Sequence, residues 1–280
     1  MHISKLVKIS RPRFWIYLLG PYMVGLAAAT VGTIDLYTPS LWIFFVYFTF
    51  PANLLIYGVN DIFDYATDKN NPKKQEYEAF VDKHEHNSLW MWILGTNLPF
   101  WILAVFLNIP AALALLAFLF FGIGYSAKPI RAKAKPFLDS LFNILYIMPG
   151  LVGYFLLAPE NILWQAVVAG GLWSMAMHSY SAIPDIQADR ESNTPTIATV
   201  LGFHGTLVYC TALYGLTYWL TLPILATAGH IFWIVYGGMM LFTWIRGRDQ
   251  AFSVYKLFPY VNTVAGFILF WLTLGIRFLQ

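Results

Sequence analysis

Two sets of carboxylates interrupt an otherwise apolar chain. The first is Asn60-Asp61-Ile62-Phe63-Asp64-Tyr65-Ala66-Thr67-Asp68, and the second is Asp185-Ile186-Gln187-Ala188-Asp189. Residues three and four apart share one face of a helix, so each set reads as an acidic stripe. Upstream, Asn53 and Tyr57 extend the first stripe into an apolar run. An ionised Asp at the centre of a bilayer costs about 2.5–3.5 kcal/mol on insertion scales. Such a stripe therefore needs water, cations or both. Oxygen ligands on a semi-open face suit Mg²⁺, which keeps several waters and shares its coordination with substrate phosphates. The expected metal-holding residues are Asn60, Asp61, Asp64, Asp68, Asp185 and Asp189, with Asp64, Asp68, Asp185 and Asp189 carrying the chemistry. The second set alone is weak, because two acids four apart occur often by chance. Paired with the first, it could clamp a diphosphate through metal. The competing reading, a solvated acidic loop that ends a helix, fits poorly with acids that abut the apolar run in ordered spacing.

A diphosphate also needs direct cationic contacts, and Arg can bind two of its oxygens at once. Arg11 precedes Pro12, and Lys128, Arg131 and Lys133 lie between Pro129 and Pro136 or just before them. Prolines fix the local backbone, which holds this basic loop near the membrane face. Lys5, Lys8, Lys73 and Lys74 read instead as topological charges. Tyr57, Tyr65, Tyr125, Tyr146 and Tyr180 fall near the same half of the chain's helices and are candidates to stabilise a carbocation through their ring faces. His178 sits seven residues before Asp185 and reads as a packing histidine.

The elements that would position these residues are membrane spans. The 280 residues are 59% hydrophobic and only 11% charged, against roughly 25% charged in soluble domains. Lipid must be the solvent for most of this surface. A spanning helix takes about 20 apolar residues, which predicts about nine spans: 13–33, 40–60, 88–107, 110–127, 137–157, 163–183, 205–226, 230–246 and 257–278. Lys5, Lys8, Arg11 and Arg13 before an apolar stretch ending in Ala27-Ala28-Ala29 look faintly like a signal peptide. That stretch is long enough to span and others follow, so it reads as the first span. All 17 Lys and Arg except Arg277 lie in the loops, or the adjoining helix ends, on the N-terminal side of the membrane. The opposite loops hold only Asp35 and Glu160 as charges. The positive-inside rule places the N-terminus and both acidic sets in the cytoplasm, at the cell membrane, and the C-terminus across it. The sets end spans two and six, four spans apart, which hints at duplication of a four-helix unit. Pairing equivalent helices would bring the two sets together at one mouth. The polar loop 69–87 is expected to cap that mouth. A net charge of +3 without a long basic run gives no footing for nucleic acid. A single cysteine, Cys210, excludes an intrachain disulfide and a multi-cysteine metal site. The sequence sets no oligomeric state.

At Ser10-Arg11-Pro12, Asn60-Asp61-x-x-Asp64-x-x-x-Asp68, Tyr125-Ser126 leading to Arg131 and Lys133, Asp185-x-x-x-Asp189, and Thr196-Ile197-Ala198-Thr199-Val200-Leu201-Gly202, the chain resembles the UbiA-type intramembrane prenyltransferases. The resemblance covers nearly all of residues 1–280, as one domain. It implies an all-α membrane protein, nine helices around a central cavity, two Mg²⁺ ions, and transfer of a prenyl group from its diphosphate to a lipophilic acceptor. Within the family the chain is most similar to the lycopene elongases. The stretches Ser10–Trp15, Pro51–Tyr65, Asp68–Lys74 and Ile183–Glu191 carry that similarity. It implies an allylic donor, such as dimethylallyl diphosphate, and lycopene or a related carotenoid as acceptor. Asn193 stands where some members extend the second set with a further acid. The rival acceptors are an aromatic acid or quinone precursor, such as 4-hydroxybenzoate or a naphthoate, and a lipid glycerol. A carboxylate-lined cation transporter is the remote alternative. Against it, the acids cluster at one membrane face and no polar path leads to the other.

Overall fold

The structure, a computed structural model, describes residues 1–30, 37–65 and 79–278. Among them every regular element is helical. In order these are α1 (Ile3–Ile9), α2 (Ile16–Ala29), α3 (Pro39–Tyr47), α4 (Phe50–Phe63), α5 (His86–Leu103), α6 (Ile109–Ser126), α7 (Leu138–Leu141), α8 (Met148–Leu157), α9 (Trp164–Ser181), α10 (Ile186–Glu191), α11 (Ile197–Leu225), α12 (Thr227–Arg246), α13 (Ala251–Tyr255) and α14 (Phe258–Phe278), with short 3₁₀ turns between some of them.

Among the described residues, seven stretches are long and apolar enough to cross a membrane: Pro39–Phe63, Lys83–Phe106, Ile109–Ser126, Leu138–Leu157, Ile197–Leu225, Thr227–Arg246 and Phe258–Gly275. They coincide with seven of the nine expected spans. The other two expected spans fall on α2, which covers 14 residues, and on α9, which is long enough but carries Gln165, His178, Ser174, Ser179 and Ser181. Large apolar side chains, among them Met91, Phe106, Trp219, Ile234 and Phe267, stand exposed. In water such an exterior would be an aggregation hazard; in a bilayer it is the solvated face.

The chain forms two compact units. One comprises Met1–Ile130, Met148–Ile162 and Gly266–Gln280, and the other Arg131–Ile147 and Leu163–Ala265. In the first unit α2 packs on α8, α8 on α6, and α4 on α1, α5 and α6. Small residues set the closest approach: a Cβ on Gly25 would lie 2.0 Å from the Gly150 carbonyl oxygen, and one on Gly153 would lie 2.6 Å from that of Tyr22. Without a hydrophobic drive between helices in lipid, such close packing is a main source of association. The span Pro39–Phe63 breaks at Phe48–Thr49, just before Pro51, which has no N–H to give. Buried Asn53 repairs the break by donating to the carbonyls of Thr49 and Phe48, the latter at 3.1 Å. This end of the acidic stripe is therefore structural.

In the second unit α9 packs on α11, α11 on α12, and α10 on α11. Helix α11 begins earlier than the expected span. Thr196 caps it by accepting from the Thr199 N–H, while the Thr199 hydroxyl accepts from the Thr196 N–H. Gly202 then interrupts it at φ 68° and ψ −177°, backbone that essentially only glycine adopts.

Candidate active site

Helix α4 carries the first acidic set to its C-terminal end. Asp61 and Asp64 are both buried, at 4% exposure each. Asn60 donates to Asp64 Oδ2 at 2.7 Å and to Ser126 Oγ at 3.1 Å. The end of α6 thereby orients the amide, and the amide orients Asp64. Arg11 donates from Nη2 to Asp61 Oδ1 at 3.1 Å. Its guanidinium also lies 4.5 Å from the centroid of the Tyr57 ring. The Tyr57 ring, expected to face a carbocation, thus faces a cation of the protein itself. The Tyr65 ring lies tilted against Phe80 and edge-on to His86, at 5.7 and 5.5 Å. Asp68 and most of the loop 69–87 lie outside the described residues. The described end of that loop is tied to α1 by the Lys5–Glu85 ion pair, and Asp82 caps the turn that Glu85 closes.

In the second unit Asp185 begins α10, and Asp189 follows one turn later. Both are half-buried. Asp189 Oδ2 accepts from the Thr196 hydroxyl at 3.4 Å. Burial, first, and the neighbouring Asp185 charge push the Asp189 carboxyl up to about 6, against the pull of Thr196 and Lys133. A carboxyl raised in this way by a neighbouring charge is relieved by a cation. Buried Asp139, on α7, adds to the same field. Its Oδ2 accepts from the Ile197 N–H at 2.7 Å. Arg131 heads the turn Ala132–Ala134 with φ 43°, and its Nε is buried without a hydrogen-bond partner among the described residues. Lys128 is exposed, and Tyr125 and Tyr146 are half-buried. Tyr180 is fully buried: its hydroxyl pairs with that of Thr243 at 2.6 Å and its ring packs 4.9 Å from Phe258. It is engaged by protein on its face and at its hydroxyl.

The two arginines share a local form. Arg11 at φ 52° and Arg131 at φ 43° each stand left-handed at the head of a 3₁₀ turn. Bulky residues rarely adopt this backbone.

Among the described residues no three His, Cys, Asp or Glu side chains gather into a ready-made metal cage. The oxygen donors instead come as pairs, Asn60 with Asp64 and Asp185 with Asp189. This fits Mg²⁺, which takes one or two carboxylates and fills its remaining positions with water and phosphate. Sequence spacing missed three supporting residues. Ser126 and Thr196 lay inside noted motifs but had no assigned partner. Asp139 is a lone acid in an apolar stretch and gave no signal.

Comparison with known proteins identifies the family. The model of the UbiA prenyltransferase family matches residues 18–257. A lycopene elongase/hydratase of Haloarcula japonica is 37% identical, over 95% of this chain and 90% of its own. One from Haloferax volcanii is 38% identical, over 96% and 87%. The structure of a UbiA homolog from Archaeoglobus fulgidus bound to DMAPP and Mg²⁺ shares the fold, with a TM-score of 0.74 at 16% identity, over 95% of this chain and 99% of that one. Acids ending apolar helices, cations held in strained turns beside them and a family match across most of the length lead to one assignment: the chain belongs to the UbiA prenyltransferase family and is a membrane prenyltransferase.

Proposed function

We propose that this enzyme transfers an allylic prenyl group, of dimethylallyl size, from its diphosphate to lycopene or a related carotenoid. One observation carries the site. Asp185 and Asp189 share excess negative charge beside Lys133, and the same unit holds Arg131 with a buried, unpartnered Nε–H. A metal diphosphate would bring positive charge to the acid pair and an acceptor to Arg131. The carotenoid reading of the acceptor rests on the lycopene elongase/hydratase relatives.

In this reading Asn60, Asp61, Asp64, Asp68, Asp185 and Asp189 would hold Mg²⁺, as two ions. When bound, the metal supplies electrostatic stabilisation to the departing diphosphate. Arg131, Lys133, Lys128 and Arg11 add positive charge to the same leaving group. The allylic C–O bond breaks, diphosphate departs with the electron pair, and the terminal double bond of lycopene forms the new C–C bond. The resulting tertiary cation either loses a proton or captures water. Tyr65, Tyr125 and Tyr146 remain the candidates to face the allylic cation. The active-site mouth is cytoplasmic.

The test uses purified protein in liposomes with Mg²⁺, dimethylallyl or geranyl diphosphate, and either lycopene or 4-hydroxybenzoate. Lycopene extended by one prenyl unit is the expected product; prenylation of the aromatic acid alone would remove the carotenoid reading. Asp64→Ala and Asp185→Ala should each lower turnover about 10²–10³-fold, the scale of a lost electrostatic contact to the transition state. Full activity in both would contradict a site built on the two acidic sets.

A further inference from the structure

Asp139 has no place in the spacing that defines the acidic sets, yet it is the most enclosed acid near them, at 1% exposure. Its Oδ2 accepts the Ile197 N–H at 2.7 Å, fixing the first turn of α11. That turn sets Thr196, whose hydroxyl accepts from the Thr199 N–H at 3.3 Å and donates to Asp189 Oδ2 at 3.4 Å. Backbone supports the chain of contacts from the other side: the Thr194 N–H donates to the Asp189 carbonyl at 2.8 Å. Asp139 is itself held from behind, because Asn143 donates to its carbonyl at 2.6 Å. The result is a continuous path from a buried carboxylate, through one helix start and one hydroxyl, to a carboxylate proposed to hold metal.

We infer that Asp139 and Thr196 are positioning residues that fix the Asp189 carboxylate for the metal diphosphate. The inference rests on the proposed role of Asp189. Partners that orient a ligating carboxylate change metal affinity or activity about 10–100-fold when removed. An unoriented Asp189 would also have to give up rotamer freedom whenever a cation binds. Thr196 suits the role because its single hydroxyl proton goes to Asp189 while its oxygen caps the helix.

The experiment measures Mn²⁺ binding by electron paramagnetic resonance in the presence of inorganic diphosphate, on full-length protein in nanodiscs. Thr196→Val keeps the side-chain shape and removes the donor; it should weaken Mn²⁺ binding at least about tenfold, with thermal unfolding followed in parallel. Thr196→Ser should restore binding to near wild type. Asp139→Ala should give the same loss as Thr196→Val, and the double variant should bind no more weakly than either, because both act through one contact. Wild-type binding by Thr196→Val, or losses that add in the double variant, would overturn the inference. If Asp139→Ala fails to fold, the Thr196 pair decides alone. Asp189→Ala separates the two readings. If it binds Mn²⁺ as wild type does, the metal role of Asp189 and the inference fall together; if it binds weakly while Thr196→Val binds normally, only the inference falls.

Discussion

At the scale of the residue, the Arg11–Asp61 pair is the clearest case of one contact joining stability to function. The side chains are 14% and 3% exposed, so neither charge has bulk water to fall back on. Removing one partner of a buried pair leaves an uncompensated charge and costs about 3–5 kcal/mol. Arg11→Ala should therefore lower the thermal midpoint in detergent strongly, and the double variant Arg11→Gln with Asp61→Asn should recover most of it. Losses that simply add in the double variant would show that the two charges act independently rather than as a pair. Tyr57 has a stake in the same contact, since its ring carries the guanidinium. Tyr57→Leu should weaken the pair modestly, by about 0.5–2 kcal/mol.

At the scale of the element, two glycines show where backbone geometry dictates residue choice. Gly202 stands at φ 68° and ψ −177°, so Gly202→Ala should destabilise by about 1–3 kcal/mol although open space surrounds it. Gly25→Ala acts differently: its methyl would collide with the Gly150 carbonyl at 2.0 Å and force α2 away from α8. Thermal unfolding of both variants, with Gly266→Ala in open space as the control, checks this; a Gly25→Ala variant as stable as the control would refute the close packing. These elements were unevenly legible in the sequence. The spans were readable because lipid selects on mean apolarity, and that quantity survives errors at single positions. The acidic stripe of α4 was readable because its period matches a helix. The start of α11 at Ile197 was not, because polar Thr196 and Thr199 look like loop until their reciprocal cap is seen. Asn53 was misplaced onto the functional stripe, since helical spacing cannot tell an amide that faces a site from one that repairs a broken helix. Asp139 meets Ile197, Asp61 meets Arg11 and Asn60 meets Ser126 across 50 or more residues of chain, which no local period encodes.

At the scale of the whole molecule, the distribution of charge makes a claim about the membrane that can be tested independently of catalysis. The basic loop around Lys135 and the loop holding Glu160 flank a single apolar stretch, Leu138–Leu157. They must therefore open on opposite sides if that stretch spans. Lys135 and Glu160 are both exposed, and neither belongs to the proposed machinery. The one native thiol, Cys210, is buried, so Cys210→Ala gives a silent background in which single cysteines report their own side. In intact cells an impermeant maleimide should label Glu160→Cys directly and Lys135→Cys only after the membrane is opened, because lysine-rich loops are retained on the cytoplasmic side. The reverse pattern would turn the protein over and place the acids and their diphosphate outside, away from the cytoplasmic supply the proposed reaction draws on. Labelling of both from one side would show that Leu138–Leu157 does not cross, and the count of spans would have to change around it.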